Sequence, residues 1–149
     1  MKNSPLLNSS VEDNIGLLIG SCNRIKDRLL DQHLQEEGIT GTQAKVLFSI
    51  YRCKLSRQCD IGKKLNVDGS AVTRMLDRME KKGLITRTQS EHDRREIRVE
   101  LTESGLDVTL RAVRLAYMAI EELCQPLSDD ETEILRNILK KVIAFHCIG

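Results

Sequence analysis

Apolar residues recur with helical spacing in six segments of the chain, and with strand spacing in one short region among them. In the first segment Ser9 or Ser10 is in position to cap a helix, and Gly38 is in position to end it. Its principal apolar stripe is Val11, Ile15, Leu18, Cys22, Ile25 and Leu29. Because Leu17, Ile19, Leu30 and Leu34 lie off this stripe, we expect the helix to cross a core or to meet a second subunit.

The next three helical segments are short and carry clear end signals. Thr40 and Gln43 have capping-box spacing and precede a helix whose apolar face is Ala44, Leu47, Phe48 and Tyr51. Ser56 is predicted to cap the short helix RQCDIGKKL, and Asp68 the helix that Gly83 ends. About three residues separate these last two helices, which is the spacing of a helix-turn-helix.

The second helix of this pair has two contrasting faces. Its inner stripe is Val72, Met75, Leu76 and Met79, and its outer face carries Ser70, Thr73, Arg74, Asp77, Arg78 and Lys81. Such a face is ordinarily a solvated surface of salt bridges. The elements that surround this helix in the chain therefore decide whether the polar face has a function.

The hydrophobic period changes from helix to strand after Gly83. The segment 84–88 is short and has a high β-propensity. In the segment that follows, Ile97, Val99 and Leu101 alternate with Arg98 and Glu100, as in a half-exposed strand. The polar segment QSEHDRRE between them is too highly charged to pack. A β-hairpin with a basic tip directly after a helix-turn-helix predicts a winged helix.

Two longer helices complete the chain, separated by Pro126. The first has an a/d seam, and the second starts with a Ser128–Glu131 capping box. The seam is Leu106, Leu110, Val113, Tyr117, Ile120 and Cys124, and the last stripe is Leu135, Ile138, Val142 and Phe145.

Composition favours a small, helix-rich chain that is helped by oligomerisation. With 149 residues, 3% aromatic residues and no tryptophan, the chain has a thin core for a monomer. Its net charge of +1 hides an asymmetry. Residues 41–102 contain 14 Lys and Arg against 8 Asp and Glu, whereas the flanks contain 9 against 14. A basic centre between acidic ends points to a polyanion-binding module.

Neither export nor membrane insertion is expected. MKNSPLLNSSVEDN lacks the apolar run of a signal peptide, and NIGLLIGSCN is about half the length of a membrane span. We therefore expect a cytoplasmic protein without a membrane partner.

The cysteines and histidines form no recognisable metal or disulfide framework, and no cofactor is expected. Five cysteines without a CxxC pair argue against a zinc site, as does the spacing of His33, His92 and His146. Cys22 and Cys124 occupy apolar stripes, where cysteine is ordinarily an inert hydrophobe, whereas Cys53, Cys59 and Cys147 are expected to be more accessible. Arg52 and Lys54 flank Cys53 and would favour its thiolate, so Cys53 is a candidate redox residue. The absence of a Gly-rich phosphate loop and of GxSxG, HExxH and DxDxDG argues against an enzyme.

These elements, in this order, resemble the MarR family of bacterial transcription regulators, and most of all its multiple-antibiotic-resistance repressors. The resemblance covers roughly residues 10–145 and is carried by KDRLL, ITGTQAKVL, KKLNVDGSAVTRMLDRMEKKGLI and HDRREIRVELTESG. The D-x-R spacing of Asp93 and Arg95 between two strands, followed by LTESG, is its most specific part.

The resemblance implies a mainly α fold with a small β-wing. A winged helix-turn-helix over residues 39–102 would be inserted between N- and C-terminal dimerisation helices, residues 1–37 and 103–149, in a triangular homodimer. Each recognition helix would enter a major groove of double-stranded DNA, and each wing would lie along the adjacent minor groove. Two-fold symmetry then implies a pseudo-palindromic operator with half-sites about one helical turn apart.

The resemblance and the chemistry of each side chain together assign roles on the DNA. Arg74 is the candidate for a bidentate contact to guanine, Thr73 for a thymine methyl or a phosphate, and Arg78 and Lys81 for phosphates. The recognition-helix set is Ser70, Thr73, Arg74, Arg78 and Lys81, and the wing set is Arg87, Arg94 and Arg95. In the family the arginine that matches Arg95 is held by acidic partners, which match Asp68 and Asp93 here.

The resemblance also implies a ligand-responsive regulator, most simply a repressor in an antibiotic or stress response. Small phenolic or amphipathic effectors would bind in a pocket walled by the first helix, residues 39–45 and the start of the recognition helix. Two alternatives stay open at this point. One is a thiol-based redox-sensing regulator. The other is a winged helix that binds protein, which the basic face with arginines at both reading elements disfavours.

Overall fold

The computed structural model describes residues 10–147, and its helices and strands follow the predicted order. The helices are α1 Ile15–Leu34, α2 Gly41–Cys53, α3 Gln58–Leu65, α4 Gly69–Lys81, α5 Glu103–Cys124 and α6 Asp129–His146. The strands are β1 Ile85–Gln89 and β2 Ile97–Leu101, and 3-10 turns cover Val11–Asp13 and Gln35–Glu37. The predicted winged helix, mainly α with one small sheet, is confirmed.

Both ends of α1 differ from the prediction. Ser10 Oγ accepts a hydrogen bond from the N–H of Asp13 (3.3 Å) and so belongs to the 3-10 turn, whereas Asn14 caps the helix itself. Ser9 lies outside the described residues. At the other end α1 stops at Leu34, and Gly38, with a φ of 66°, ends the 3-10 turn that follows.

The predicted cap at Ser56 is wrong. Arg57 occupies the N-cap position of α3, without a capping hydrogen bond from its side chain. The carbonyl of Ser56 instead accepts a hydrogen bond from the N–H of Val99 (2.7 Å), and Arg57 forms a β-bridge with Arg98. The segment before α3 therefore pairs with β2.

The remaining end signals are confirmed. Thr40 and Gln43 form a capping box on α2, and Ser128 and Glu131 form one on α6. Asp68 Oδ1 accepts a hydrogen bond from the N–H of Ala71 (2.9 Å) at the start of α4. These local contacts set the element boundaries before any long-range packing is considered.

Residues 30–117 form one compact unit, which contains the helix-turn-helix and the wing. The largest fully buried side chains of its core are Leu34, Leu47, Ile61, Leu76, Met79, Ile85, Val46, Val72, Val99 and Thr109. The strands are antiparallel, with Ile85 opposite Leu101 and Gln89 opposite Ile97.

The LTESG sequence joins the wing to α5 within this unit. Thr102 Oγ1 accepts from the N–H of Gly105 (2.9 Å) and donates to the carbonyl of Gly83 (2.5 Å). A Cβ added to Gly105 would lie 1.8 Å from the carbonyl oxygen of Leu84. Only glycine permits this contact, so the motif fixes the start of the wing on the start of α5.

Residues 10–29 and 118–147 form the second compact unit within the described part of the chain. The boundaries between the units thus fall inside α1 and α5. In this single chain α6 has no buried residue, and its apolar positions are exposed, up to 77% at Phe145. No described helix is long and apolar enough to cross a membrane.

Candidate nucleic-acid interface

The helix-turn-helix is built from α3, the three residues Asn66, Val67 and Asp68, and α4. A Cβ on Gly62 of α3 would come within 3.0 Å of the Val72 side chain, so the two helices pack closely at this glycine. Val72, Leu76 and Met79 of α4 are buried. This anchoring leaves the opposite face of α4 exposed.

All five predicted recognition-helix residues are exposed on this face: Ser70, Thr73, Arg74, Arg78 and Lys81. The first two are partly used inside the protein. Ser70 Oγ donates to Asp68 Oδ1 (2.6 Å). Thr73 Oγ1 donates to the carbonyl of Gly69 (2.9 Å) and accepts from Gln58 Nε2 (3.0 Å). The methyl group of Thr73 is therefore the part of this side chain that takes no part in these hydrogen bonds.

The three cations of the set, unlike Ser70 and Thr73, are not engaged by hydrogen bonds inside the described part of the protein. Within the described residues, Arg74, Arg78 and Lys81 make no ion pair and no side-chain hydrogen bond. The acidic neighbours on the same helix, Asp77 and Glu80, pair with Arg87. A salt-bridged face is therefore the wrong description, because the cations stay available while the acids are occupied.

Arg87 forms a clasp between the wing and the recognition helix. Its Nη2 donates to Glu80 Oε2 (2.8 Å) and to Asp77 Oδ1, and its backbone N–H donates to Glu80 Oε1 (3.0 Å). The side chain is only 17% exposed, against 46% for Asp77 and 40% for Glu80. Hydrogen bonds from Arg87 hold the pKa of Glu80 below its usual range. Because this guanidinium pairs with two carboxylates, Arg87 holds the wing beside α4, and its phosphate contact stays a prediction.

The tip of the wing is a tight turn closed by Asp93. Its Oδ1 accepts from the N–H of Arg95 (2.9 Å), and its carbonyl accepts from the N–H of Glu96 (2.9 Å). The carbonyl of Glu96 in turn accepts from the N–H of Ser90 (2.9 Å). Arg94 and Arg95 are exposed, and neither guanidinium has an ion-pair partner in the described part of the chain.

The expected ion pairs from Asp68 and Asp93 to Arg95 are not formed between these described residues. Asp68 is occupied by the hydroxyl of Ser70 and the N–H of Ala71, which together hold its pKa below the usual range. Asp93 is occupied by its own turn. All three nevertheless line one groove of about 710 Å³ between the helix-turn-helix and the wing. Asp93 thus shapes the wing through the backbone of Arg95.

A smaller hollow of about 250 Å³ lies between the start of α2 and the recognition helix. Its lining includes Thr40, Gln43, Arg74, Met75 and Arg78. It combines two cations without ion pairs, an apolar side chain and hydroxyl groups. A small amphipathic anion has the complementary chemistry.

Cys53, the candidate redox residue, lies at the end of a helix between two cations. It is exposed as the last residue of α2, and a helix C-terminus carries partial negative charge, whereas activated thiolates typically lie at N-termini. Arg52 Nη2 donates to the hydroxyl of Tyr117 (3.3 Å), and Lys54 Nζ lies 5.3 Å from the ring centroid of Tyr51. The two flanking cations are therefore engaged with tyrosines.

Cys22, Cys59 and Cys147 are also exposed in the single chain, and Cys124 is half-buried. The predicted burial of Cys22 and Cys124 in apolar stripes is not seen in the single chain. Among the described residues, no cluster of three or more His, Cys, Asp or Glu could hold a metal ion.

Two residues beside the recognition helix escaped the sequence analysis. Gln58, at the start of α3, donates a hydrogen bond to the hydroxyl of Thr73. Lys82, at the end of α4, donates through Nζ to the carbonyl of Gly38 (2.5 Å). Both contacts link residues distant in sequence. No local spacing signals them.

Comparison with known proteins agrees with this architecture. The MarR family model matches residues 39–97. The multiple antibiotic resistance protein MarR of Escherichia coli (strain K12) is 38% identical over 130 residues, which is 87% of this chain and 90% of that protein.

Two crystal structures of E. coli MarR extend the comparison to the fold. The wild-type apo form has a TM-score of 0.80 and 39% identity, covering 87% of this chain and 96% of that one. A cysteine-to-serine mutant complexed with operator DNA has a TM-score of 0.76 and 37% identity, covering 91% and 99%. Members of this family are transcription regulators and not enzymes. The chain belongs to the MarR family.

Proposed function

We propose that this protein is a dimeric, sequence-specific DNA-binding repressor whose operator complex is released by a small phenolic or amphipathic ligand. The observation that carries the proposal is the state of α4. Arg74, Arg78 and Lys81 make no ion pair and no side-chain hydrogen bond among the described residues, while Asp77 and Glu80 both pair with Arg87. The solved complex of the related E. coli protein with operator DNA supports operator binding by this chain.

Arg74 and Arg78 are given different tasks. Arg74 lies in the N-terminal half of α4, the part of a recognition helix that contacts base edges, and is assigned to guanine. Arg78 and Lys81 lie further along and are assigned to phosphates. Arg94 and Arg95 at the wing are assigned to the minor groove, where narrow A·T tracts attract arginine.

Dimerisation is proposed through the helices of the second unit. Large apolar side chains of α1 and α6 that a monomer would leave in water include Ile15, Leu18, Leu135, Ile138 and Phe145, each at least 41% exposed. An exposed apolar surface of this kind marks an interface. A two-fold axis would make it self-complementary and would set two recognition helices against one pseudo-palindrome.

The hollow beside α4 is proposed as the place where the ligand acts. An effector carboxylate there would pair with Arg74 or Arg78, and its ring would lie against Met75. Such a ligand binds only the DNA-free form, because it occupies the arginines that the operator needs. Release then follows from its differential affinity for the two forms.

The test is an anisotropy titration of the purified protein on the intergenic DNA beside its own gene, at several salt concentrations, with and without salicylate. We expect specific binding that salicylate releases. Arg74→Ala should lose preference for one base by about 1–3 kcal/mol, whereas Arg78→Ala should weaken binding to all sequences alike. Equal losses on specific and scrambled duplexes for Arg74→Ala would refute the base assignment.

A thiol switch is tested in the same assay. Release by a mild peroxide and recovery with a thiol reductant, without any response to salicylate, would replace the ligand mechanism with the redox one. Absence of specific binding to any duplex would favour the protein-binding alternative.

A further inference from the structure

Lys82 ties the end of the recognition helix to the chain that follows α1. It is the C-cap residue of α4, and its ammonium group donates to the carbonyl of Gly38 (2.5 Å) and to Gln43 Oε1 (3.3 Å). Both acceptors are neutral oxygens of the protein. A lysine at this position would otherwise be a free surface cation, as its neighbour Lys81 is within the described residues.

One of the two acceptors, Gln43, is buried and belongs to a hydrogen-bonded helix start. Gln43 is 7% exposed, and the same Oε1 also accepts from the N–H of Thr40 (3.2 Å) in the capping box of α2. The N–H of Gln43 donates back to Thr40 Oγ1 (3.2 Å). Lys82 therefore attaches to a capped helix start.

The segment 35–38 is held by a second cation from another helix. Arg111 of α5 donates through Nε to Glu37 Oε1 (2.8 Å), and this hydrogen bond raises the pKa of Arg111. The turn between α1 and α2 is thus fastened to α4 by Lys82 and to α5 by Arg111.

We infer that Lys82 is a positioning residue for operator binding: it sets where the recognition helix lies and does not itself touch DNA. The inference rests on the proposed DNA-binding function. Arg74 and Arg78 belong to the same helix as Lys82, so releasing its C-terminal end changes the direction in which both side chains leave the protein. Hydrogen bonds to base edges weaken steeply with such changes, whereas attraction to phosphates hardly depends on them.

The test compares Lys82→Met with the matched control Lys81→Met, since each removes one ammonium group and keeps most of the stem. Affinity is measured on a duplex that the wild-type protein selects from a random pool and on a scrambled version of it, over a range of salt. Circular dichroism fixes a temperature at which all variants are folded, so a loss of folding stability alone moves neither affinity.

For Lys82→Met we expect roughly tenfold weaker binding to the selected duplex, unchanged binding to the scrambled one and an unchanged salt slope. Lys81→Met should weaken binding to both duplexes and flatten the salt slope by about one unit per subunit. Wild-type affinity in Lys82→Met, or a flattened slope like that of Lys81→Met, would overturn the inference.

Failure of the proposed function looks different, because the wild-type protein itself would then select no duplex. Hydrogen exchange, which needs no DNA, then tests the structural tie made by Lys82 separately from the DNA-binding function. Faster amide exchange at residues 38–44 in Lys82→Met, and not in Lys81→Met, supports the tie, and equal exchange in both overturns it.

Discussion

Gly105→Ala is expected to loosen the joint between the wing and α5. The new Cβ would lie 1.8 Å from the Leu84 carbonyl oxygen, whereas real contacts of this kind are essentially never shorter than 3.0 Å. The two backbones must therefore separate by more than 1 Å. The same oxygen accepts the N–H of Thr102 (3.1 Å), so that hydrogen bond is stretched as well.

The cost follows from these contacts. Forced separation in a packed region costs about 1–3 kcal/mol, and the strained hydrogen bond adds about 1 kcal/mol. Replacing a helical glycine by alanine returns about 1 kcal/mol. The net loss is about 1–3 kcal/mol, which lowers Tm by roughly 2–12 °C for a chain of this size.

Thermal unfolding followed by circular dichroism at fixed protein concentration measures this loss. The matched control is Gly69→Ala at the first residue of α4, where an added Cβ meets nothing within 4 Å. The control should keep or slightly raise Tm. Equal Tm values for Gly105→Ala and the wild type would refute the argument from close approach.

Four further predictions concern the wing, the interface and the thiols. Arg87→Met should lower the free energy of unfolding by about 1 kcal/mol in denaturant titration and leave the salt slope of DNA binding unchanged. A flatter slope would instead show that Arg87 contacts a phosphate. Because the pKa of Glu80 is lowered from 4.5 in the folded protein, the Glu80 carboxylate stabilises the fold fully above pH 4.5, and this contribution is lost as pH falls through the lowered pKa. The difference in free energy of unfolding between the wild type and Glu80→Gln should therefore vanish in acid. Ile138→Glu should shift sedimentation equilibrium toward monomer, and an unaltered dimer would exclude α6 from the interface. Cys53→Ser should leave release from DNA unchanged with both salicylate and peroxide, and loss of a peroxide response would show that this thiol is the switch.

Local signals in the sequence were sufficient for the order and ends of most elements. Thr40, Asp68 and Ser128 cap helices because their hydrogen bonds close within three residues, a distance that spacing reveals. Ser56 failed as a cap because Val99, far along the chain, binds its carbonyl.

The sequence predicted which side chains of α4 are exposed, and the contacts that it missed have the same origin. The exposed arginines of α4 follow from helical periodicity alone. The engagement of Arg87 with Asp77 and Glu80 requires the wing to fold back beside α4, which no spacing rule states. The contact from Lys82 to Gly38 spans 44 residues and depends wholly on tertiary packing.

The hydrogen bonds of the Thr73 hydroxyl bear on which DNA bases this side chain would distinguish in its proposed role. Its hydrogen is given to Gly69 and one lone pair to Gln58, so a base facing this residue meets mainly a methyl group. A methyl surface recognises the C5 substituent of a pyrimidine and is indifferent to the exchangeable hydrogens that separate the bases. If Thr73 faces a pyrimidine as proposed, 5-methylcytosine should be accepted there in place of thymine and uracil should be rejected, so that cytosine methylation of the operator would act like a change of its sequence.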